Sequence, residues 1–565
     1  MAKEYSVRTP VSDSVRQSLK EYPEMLQDFL FARGIDNKEK AEAFLSPSYE
    51  GHTHDPFLIA GMEQAVTRIL SGIKNNERVT IWSDYDHDGI PGGVILHDFF
   101  KKINYQNFNN YIPHRYTEGY GVNEEGVDGL AKEGTTLMIT VDCGISDVEP
   151  VKKAQSIGID VIVTDHHLAQ EILPPAFVVL NSKQDHCEYP FDMLCGAAVA
   201  FKLVQALILR GNFDITPGWE KWLLDLVGIS TVADMVPLQG ENRVLARYGL
   251  TVLQKTRRPG LLKLMRRMRI NPRFITEDDI GFMIAPRINA ASRMGDPRLA
   301  FNLLTAGDEE SDIFALELEK LNDVRKGVVA SMVKEMKHTL KERPAIPSVI
   351  VMGNPSWRPG LLGLAANNIM EERSRPVFLW GREGGDTLKG SCRSDGTVSV
   401  VSMMQAVAPG VFLEFGGHAL SGGFSVHPEK IHYLESHLVE AYEKTREENK
   451  KEAVMADRKL SINEIDWPLW DIVSLLAPFG ISNPKPLFLF QNEVIKNVKK
   501  FGKKGEHTEI IFEKGNGAGV KAISFFNAGI SREMQVGETI NFVANLEKSF
   551  FSYRPELRLR IVEVL

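Results

Sequence analysis

Short apolar runs alternate with helical stretches between residues 55 and 210, and this alternation constrains the fold more than any other feature of the chain. Each run has four or five residues, the length of a buried strand, and the stretches between the runs show helical periodicity. Strands joined by helices form βα units, which build a mostly parallel sheet. Ligands bind such a sheet at the carboxyl ends of its strands. The predicted strands are Val79–Ser83, Asn109–Pro113, Leu137–Val141, Val161–Thr164 and Ala176–Leu180.

Acidic and histidine residues directly follow three of these strands. Segment 84–89 reads DYDHDG after the first strand, Asp142 follows the third strand, and segment 165–167 reads DHH after the fourth. Alternate residues of an extended chain point to the same side, so the three aspartates of segment 84–89 are placed to converge. An Asx-rich turn or a calcium loop is the alternative for that segment alone, but an EF-hand loop needs Glu at its twelfth position, where this chain has Ile95. Three such strand ends together indicate a ligand-binding or catalytic site.

A further carboxylate, Asp234, lies in the apolar segment 231–237. A buried carboxylate is costly unless it is paired or bound to a metal, and a helix cap or an ion pair is the alternative explanation here. Hard oxygen donors with one imidazole suit Mn²⁺ or Mg²⁺. Four carboxylates exceed the need of one ion, which indicates two ions sharing a bridging carboxylate, as in phosphoryl hydrolysis. The predicted metal ligands are Asp84, Asp86, Asp142, His166 and Asp234.

Nine segments, in order along nearly the whole chain, resemble the DHH phosphoesterase superfamily and, within it, the RecJ family of single-stranded-DNA-specific exonucleases. The chain departs from the family pattern at Ser292, which replaces a glycine, and at His87, where a small residue is usual. His87 is then either a loop residue or an additional group near the metal ligands. The nine segments are residues 83–89, 111–121, 140–146, 163–167, 230–243, 285–300, 357–369, 390–394 and 416–423.

The resemblance implies an α/β protein with a DHH-type parallel-sheet domain, a DHH-associated α/β domain and a C-terminal OB-fold β-barrel. Residues 308–341 contain one glycine and no proline, which independently predicts a helix of roughly 50 Å that can join two domains. The expected divisions are 1–50 for an N-terminal cap, 51–305 for the DHH domain with a helical extension, 306–344 for the connecting helix, 345–450 for the DHH-associated domain and 451–565 for the OB-fold domain.

The same resemblance implies metal-dependent 5′→3′ hydrolysis of single-stranded DNA to 5′-mononucleotides, in DNA repair and recombination. Asp142 would act as a catalytic ligand that bridges the ions, and His167 would position or protonate the scissile phosphate. The residues that match the 5′-terminal phosphate site are Arg115, Ser391 and Arg393. A phosphodiesterase acting on short RNA or cyclic dinucleotides is the alternative within the superfamily, and a non-enzymatic scaffold is a second alternative.

The net charge of −8 argues against a nucleic-acid partner only until the distribution of charge is considered. Stretch 255–273 carries eight cations and no acid, and stretch 496–504 carries five lysines. Both stretches suit phosphate contacts, although a solvated basic face is the alternative. The other candidates for nucleic-acid binding are Arg287, Asn289, Arg293 and His418. The first three of these are equally suited to fixing the linker helices to the DHH domain.

Four cysteines without a CxxC pair, no apolar leader and no apolar run of ~20 residues predict a reduced, cytoplasmic protein that does not associate with membranes. The expected partner is single-stranded DNA. A single-strand-binding protein and a helicase are candidate protein partners, and we expect a monomer.

Overall fold

The computed structural model describes residues 5–9, 11–382, 387–446, 454–502, 505–527, 529–530, 532–550 and 555–565. Lys503 and Lys504 of stretch 496–504 lie outside the described residues. One short strand and five helices precede the first sheet. These elements are β1 (Tyr5–Val7), α1 (Asp13–Ser18), α2 (Glu24–Phe31), α3 (Lys38–Leu45), α4 (Tyr49–His52) and α5 (Met62–Lys74).

The first sheet consists of βα units, as the alternating pattern predicts. Its elements are β2 (Val79–Ser83), α6 (Gly89–Lys102), β3 (Phe108–Tyr111), α7 (Glu124–Lys132), β4 (Leu137–Val141), α8 (Val148–Ser156), β5 (Asp160–Thr164) and β6 (Val178–Leu180). The five strands are parallel in the order β3-β2-β4-β5-β6, which confirms the predicted parallel sheet. Every residue of β2 and β4 is buried, because helices cover both faces. The register aligns Ser83, Val141 and Thr164, so β2, β4 and β5 end in one row.

A group of helices completes this domain and leads into the connecting helix. The helices are α9 (Gly196–Arg210), α10 (Leu224–Ala233), α11 (Gly240–Leu253), α12 (Pro259–Arg267), α13 (Glu277–Asp279), α14 (Ala285–Met294), α15 (Arg298–Thr305) and α16 (Asp308–Glu342). A single π-helical turn, Ile280–Ile284, leads into α14. The 35 residues of α16 begin with Asp308, Glu309 and Glu310, whose charges favour a helix N-terminus.

The second domain has a mixed five-stranded sheet. Its elements are β7 (Ile350–Gly353), α17 (Pro359–Arg373), β8 (Val377–Gly381), β9 (Leu388–Arg393), α18 (Val400–Ala406), β10 (Phe412–His418), β11 (Ser421–Val426) and α19 (Leu434–Thr445). The strand order is β10-β11-β9-β8-β7, and only β7 and β8 are parallel. Cys392 of β9 is buried in the domain core, so its neighbours Ser391 and Arg393 point to the opposite face.

The third domain is a closed barrel. Its elements are β12 (Val454–Ala456), β13 (Arg458–Leu460), α20 (Trp467–Ser474), β14 (Phe488–Phe501), β15 (His507–Glu513), β16 (Gly519–Ser524), β17 (Thr539–Ser549) and β18 (Glu556–Val564). Strands β14, β15, β16, β18 and β17 form a ring that the β14–β17 pairing closes, which confirms the predicted barrel.

The N-terminal segment packs on the barrel, far along the chain, rather than on the first sheet that follows it. Phe29 of α2 lies in one apolar core with Phe488 of β14, and their ring centroids are 5.9 Å apart. Strand β1 also pairs in parallel with β12. Among the described residues, no helix has the length and hydropathy needed to cross a bilayer.

Candidate active site

The carboxyl ends of β2, β4 and β5 bring acidic side chains into one buried cluster. Asp84, Asp142 and Asp165 each follow the last residue of an aligned strand, so they lie side by side at the sheet edge. Asp142 has a left-handed backbone with φ of 61°, a conformation that costs a non-glycine residue energy and is common at functional sites. A Cβ on Gly196, the first residue of α9, would lie 2.7 Å from Oδ1 of Asp142. Glycine at that position therefore leaves room for the carboxylate.

Three overlapping groups of side chains in this cluster have the spacing of metal ligands. The ligand atoms of each group lie within 4.8 Å of one another. Asp142 belongs to two of the groups, which is the position expected of a bridging carboxylate. The groups are Asp84, Asp86 and Asp142; Asp142, His166 and His167; and Asp88, His166 and Asp234.

His166 lies close to three carboxylates of these groups. Its Nε2 lies 3.1 Å from Oδ1 of Asp142 and 3.7 Å from both Oδ2 of Asp234 and Oδ2 of Asp88. Burial lowers the pKa of His166, so its neutral form, the form that binds metals, is favoured.

The protonation behaviour of the carboxylates indicates that the cluster lacks positive charge. Burial and the neighbouring carboxylates raise the pKa of Asp84 and of Asp142 well above the usual range, and burial with the charge of Asp88 raises the pKa of Asp234 to about 9. One buried oxygen of Asp84 and one of Asp142 have no hydrogen-bond partner. Divalent cations would satisfy these oxygens and remove the repulsion, so the cluster fits Mn²⁺ or Mg²⁺.

His167 is held by a carboxylate behind it. Its Nδ1 lies 2.8 Å from Oδ1 of Asp165, which also accepts the backbone N–H groups of His166 and His167. Burial alone would lower the pKa of His167, but the hydrogen bond to Asp165 and its charge raise the pKa above the ordinary value. The side chain of His167 is 42% exposed, so a bound substrate can reach it.

The side chains predicted to hold a 5′-phosphate approach the first turn of α17. A Cβ on Gly360 would lie 3.3 Å from Nε of Arg115, and a Cβ on Gly363 would lie 2.7 Å from Nη2 of Arg393. These glycines are one helical turn apart, so both guanidinium groups lie along the same face near the helix N-terminus. Ser391 shares the face of β9 with Arg393. Such an N-terminus with two guanidinium groups is suited to a phosphate.

Arg115 links this region to the carboxylate cluster. Its guanidinium carbon lies 4.8 Å from the ring centroid of Tyr85, the residue between Asp84 and Asp86. Arg293 donates to the carbonyl of Gly360, and burial together with the charge of Arg115 lowers the pKa of Arg293 to about 10. Two cations are therefore close together here, and within the described residues neither makes an ion pair, although the charge of Asp86 partly offsets that of Arg293. This arrangement favours an anionic ligand.

Two of the residues proposed for nucleic-acid binding make contacts inside the protein. Arg287 is only 4% exposed and makes two hydrogen bonds of 2.5 and 2.8 Å to the carboxylate of Glu319 on α16. Asn289 accepts the backbone N–H of His87 at 3.0 Å and places its Nδ2 2.8 Å from Nδ1 of His87. These contacts inside the protein favour the alternative that the two residues fix the linker helices, and their contact with nucleic acid stays a prediction. His87 is tied to α14, and its Nδ1 also lies 3.8 Å from Oδ2 of Asp86, one of the predicted metal ligands.

The other nucleic-acid predictions have mixed outcomes. His418 is exposed and lies in register with Ser421 and, one strand further, Arg393, so its role stays a prediction.

Within stretch 255–273, Arg258 is ion-paired with Asp98 and Asp225. The other ion pairs join Lys263 to Asp308 and Asp312, and Arg267 to Asp312. These three cations are therefore neutralised within the chain.

Two residues of the site were missing from the predicted set. Asp88 accepts the backbone N–H groups of Gly196 and Ala197 at 2.6 and 2.8 Å and thereby fixes the start of α9 beside Asp142. Asp165 orients His167. Both residues belong to the sequence motifs of the site. Asp88 is the third aspartate of DYDHD, and Asp165 is the first residue of DHH, so their position in the motifs could have indicated them.

Three known domain families match the chain in the same order as the three domains of the structure. The chain matches the DHH family N-terminal domain over residues 78–231, the DHHA1 domain over 345–444 and the RecJ OB domain over 456–563. It is 31% identical over 562 residues to the single-stranded-DNA-specific exonuclease RecJ of Bacillus subtilis, covering 99% of this chain and 70% of the relative.

Solved structures show the same arrangement. RecJ from Thermus thermophilus in complex with Mn²⁺ superimposes with a TM-score of 0.82 at 25% identity, over 100% of this chain and 79% of the other. The Mg²⁺ complex from the same organism has a TM-score of 0.75 at 24% identity, over 99% and 78%. The fold described above, including the order of its three domains, is therefore shared with these proteins.

Proposed function

The chain belongs to the RecJ family of single-stranded-DNA-specific exonucleases, and from this premise we propose a mechanism in which it releases 5′-mononucleotides from the 5′ end of single-stranded DNA. The enzyme is a metal-dependent phosphodiester hydrolase that uses Mn²⁺ or Mg²⁺. The observation that carries the proposal is a buried cluster of unneutralised carboxylates next to a cationic pocket. Arg115 of the pocket contacts Tyr85, which lies between two of the carboxylates.

Two divalent ions are assigned to the cluster. Asp84, Asp86 and Asp142 would hold one. Asp142 and Asp234, both within 3.7 Å of Nε2 of His166, would hold the other together with that histidine, with Asp142 as the bridge. When bound, such a pair supplies charge that stabilises the attacking and leaving oxygens of a phosphodiester. Asp88 is near enough to His166 to serve as a further ligand, but its main contacts fix α9.

His167 is assigned as the proton donor to the leaving oxygen. Its raised pKa keeps a larger protonated fraction near neutral pH, and Asp165 holds the ring with one nitrogen free. A positioned imidazole acid typically contributes about 10²–10⁴-fold to a rate.

The pocket of Arg115, Ser391 and Arg393 sets the polarity in this proposal. A terminal 5′-phosphate bound there places the next phosphodiester over the carboxylate cluster, whereas a 3′ end offers no terminal phosphate to the pocket. The barrel supplies surface for the rest of the strand, since OB folds bind single strands. An enzyme for cyclic dinucleotides or short RNA would not need the barrel, and a non-enzymatic scaffold would not need the intact cluster.

The test uses purified protein, Mn²⁺ and single-stranded DNA labelled at either end. We expect mononucleotides from the 5′ label first, and Asp142→Ala to lower hydrolysis by at least about 10³-fold while DNA binding persists. Asp214→Ala, at a polar loop position away from the cluster, is the matched control. Release from the 3′ label first would refute the polarity, and an active Asp142→Ala enzyme would refute the metal assignment.

Single-stranded DNA is the substrate partner that the family and the barrel support. The cytoplasmic location, the monomeric state, the protein partners and the role in repair and recombination stay predictions. Size-exclusion chromatography with light scattering tests the oligomeric state directly.

A further inference from the structure

A groove of about 1140 Å³ adjoins the phosphate pocket, with which it shares Arg393 and Gly363. The C-terminal half of α16 lines one wall and residues 363–368 of α17 line the other. Phe526 of the barrel domain, at the rim, also lines the groove. Three parts of the molecule thus contribute to one groove that the exonuclease mechanism leaves without a role.

The groove is strongly cationic although the chain as a whole is acidic. Helix α16 lines it with five cations, two in one turn and three in the last turns of the helix, and a single carboxylate, Glu342, lines it as well. The five cations are Arg325, Lys326, Lys334, Lys337 and Lys341. Lys326 is paired with Asp323 and Lys337 with Glu372.

The remaining three cations of α16 are available to a ligand. Within the described ranges, Arg325, Lys334 and Lys341 make no ion pair. The Nε of Arg325 is buried without a hydrogen-bond partner, and burial together with the charge of Arg287 lowers its pKa. A desolvated cation surrounded by other cations is costly, and an anion in the groove would relieve that cost.

Phe526 adds an aromatic surface to the rim. It is 77% exposed, and its backbone is left-handed with φ of 56°. Its N–H donates to Nδ1 of His507 at 2.9 Å, so an exposed ring is held in place at a strained position. Exposed, fixed aromatic rings next to cations are the elements that bind nucleotide bases by stacking.

The location of the groove identifies its occupant. From the carboxylate cluster, the path runs through Tyr85 and Arg115 to Gly360, then one helical turn along α17 to Gly363 and Arg393. In the proposed function the 5′-phosphate lies between the cluster and the groove. The uncleaved strand must then leave on the opposite side of the cluster, because the scissile bond follows the first nucleotide. The groove therefore lies beyond the 5′ end.

We infer that this groove binds the released nucleoside 5′-phosphate and forms its exit path. The product phosphate moves from Arg393 to the cations Arg325, Lys334 and Lys341. The ring of Phe526 stacks on the product base. The inference rests on the proposed function, since that function supplies both the product and its orientation. It adds a product site that is separate from the site of cleavage.

The test measures the binding of 5′-dAMP to the full-length protein in EDTA, by calorimetry, so that divalent ions do not contribute. Lys334→Glu is expected to weaken binding about ten-fold by reversing one charge next to the phosphate, and Phe526→Ala at least about five-fold by removing the stacking surface. Lys320→Glu is the matched control, because Lys320 is an exposed lysine of the same helix outside the groove, and its affinity should stay within about two-fold.

Two outcomes would overturn the inference. One is an equal effect of Lys334→Glu and Lys320→Glu on 5′-dAMP. The other is a loss of affinity in Lys334→Glu for a 20-residue oligothymidylate but not for 5′-dAMP, which would make the groove a track for the strand. End-labelled hydrolysis is measured separately, so an enzyme that degrades from the 5′ end but does not bind 5′-dAMP in the groove refutes only this inference.

Discussion

The chemistry of His167 depends on the residue two positions before it. Asp165 is buried at the end of β5, and its Oδ1 contacts Nδ1 of His167 while Oδ2 accepts the backbone N–H of Ile145. A carboxylate in this position fixes the orientation of an imidazole and stabilises its protonated form. The DHH motif is therefore one functional unit: the first residue orients the third, and the second faces the carboxylate cluster.

We expect Asp165→Asn to move the pH dependence of hydrolysis. Asp165 raises the pKa of His167, so the wild-type acid stays protonated to higher pH. In the variant the burial of His167 is no longer offset by the charge of Asp165, so this pKa falls. The decline in rate on the alkaline side then begins at lower pH, and the variant is slower than the wild type at pH 8. The amide oxygen of Asn can replace Oδ1 as acceptor for the N–H groups of His166 and His167, whereas the amide NH2 cannot replace Oδ2 as acceptor for Ile145.

The measurement is kcat between pH 5.5 and 9 at saturating Mn²⁺. Asp160→Asn is the control, since Asp160 begins the same strand and pairs with Arg68 on the far side of the sheet. An alkaline limb that is unchanged in Asp165→Asn would remove His167 as the proton donor.

At the scale of elements, the first turn of α17 has to lie close to β9. Gly360 and Gly363 have no side chains. At Gly360 the hydroxyl of Tyr116 occupies the space of a Cβ, with Nε of Arg115 behind it at 3.3 Å, and at Gly363 Arg393 occupies that space. Helix α17 begins with proline at its first position, which favours helix initiation and leaves the other free N–H groups for a ligand. The two glycines therefore matter because they leave space in the phosphate pocket for neighbouring side chains, and not because they make the backbone flexible.

Gly363→Ala is expected to weaken the preference for 5′-phosphorylated ends. The added methyl would lie 2.7 Å from Nη2 of Arg393, and the flexible guanidinium moves more readily than the helix backbone. We expect the ratio of kcat/KM for 5′-phosphorylated over 5′-hydroxyl strands to fall about five- to ten-fold, toward the value for Arg393→Ala. Gly327→Ala is the control, because that exposed position of α16 has open space and gains about 0.5–1 kcal/mol of helix stability without touching the pocket. An unchanged ratio in both Gly363→Ala and Arg393→Ala would remove Arg393 from the phosphate site.

The local hydrophobic pattern was sufficient to predict short strands that are buried along their whole length. The strands at 79–83 and 137–141 coincide with the predicted ranges because both are buried on every side. The 14-residue strand β14 escaped prediction because bulges near Ile495 break its alternation. For Arg287 the sequence left nucleic-acid binding and an interior contact equally open, because its partner, Glu319, is 32 residues away on another helix. The sequence pattern thus located the acidic cluster. It did not predict long-range ion pairs, such as that of Arg287 with Glu319, which bury motif residues inside the protein.

At the scale of the molecule, the N-terminal segment is part of the barrel. Residues of α2 and α3 share an apolar core with the barrel strands, more than 400 positions later in the chain. No periodic signal reports such a pairing, since periodicity predicts a buried face but not its partner. The two ends of the chain are therefore joined in one unit, which contacts the first domain through α11.

Arg243 of α11 is the centre of that contact. It is 1% exposed and donates to the carbonyls of Phe44, Ala477 and Pro478 at 2.6, 3.1 and 3.4 Å, while its guanidinium lies 3.5 Å from the Phe44 ring. None of these partners is a carboxylate, and burial lowers the pKa of Arg243 to about 9. One side chain thus joins the first domain to both the N-terminal segment and the barrel.

Arg243→Ala should loosen this joint more than any neighbouring change on the same helix. The carbonyls of Phe44 and Ala477 lose their donor, whereas that of Pro478 keeps the Nδ2 of Asn483 at 2.7 Å. Each uncompensated group costs about 1–3 kcal/mol, so we expect a loss of at least about 2 kcal/mol. Arg247→Ala is the control, because Arg247 is less buried and donates only to the carbonyl of Leu45. Calorimetry should show the barrel transition separating from that of the first domain in Arg243→Ala alone, and limited proteolysis should cleave near residues 47–60. If the two variants melt alike, the joint is spread over the apolar surface of the interface and Arg243 is only one of many contacts.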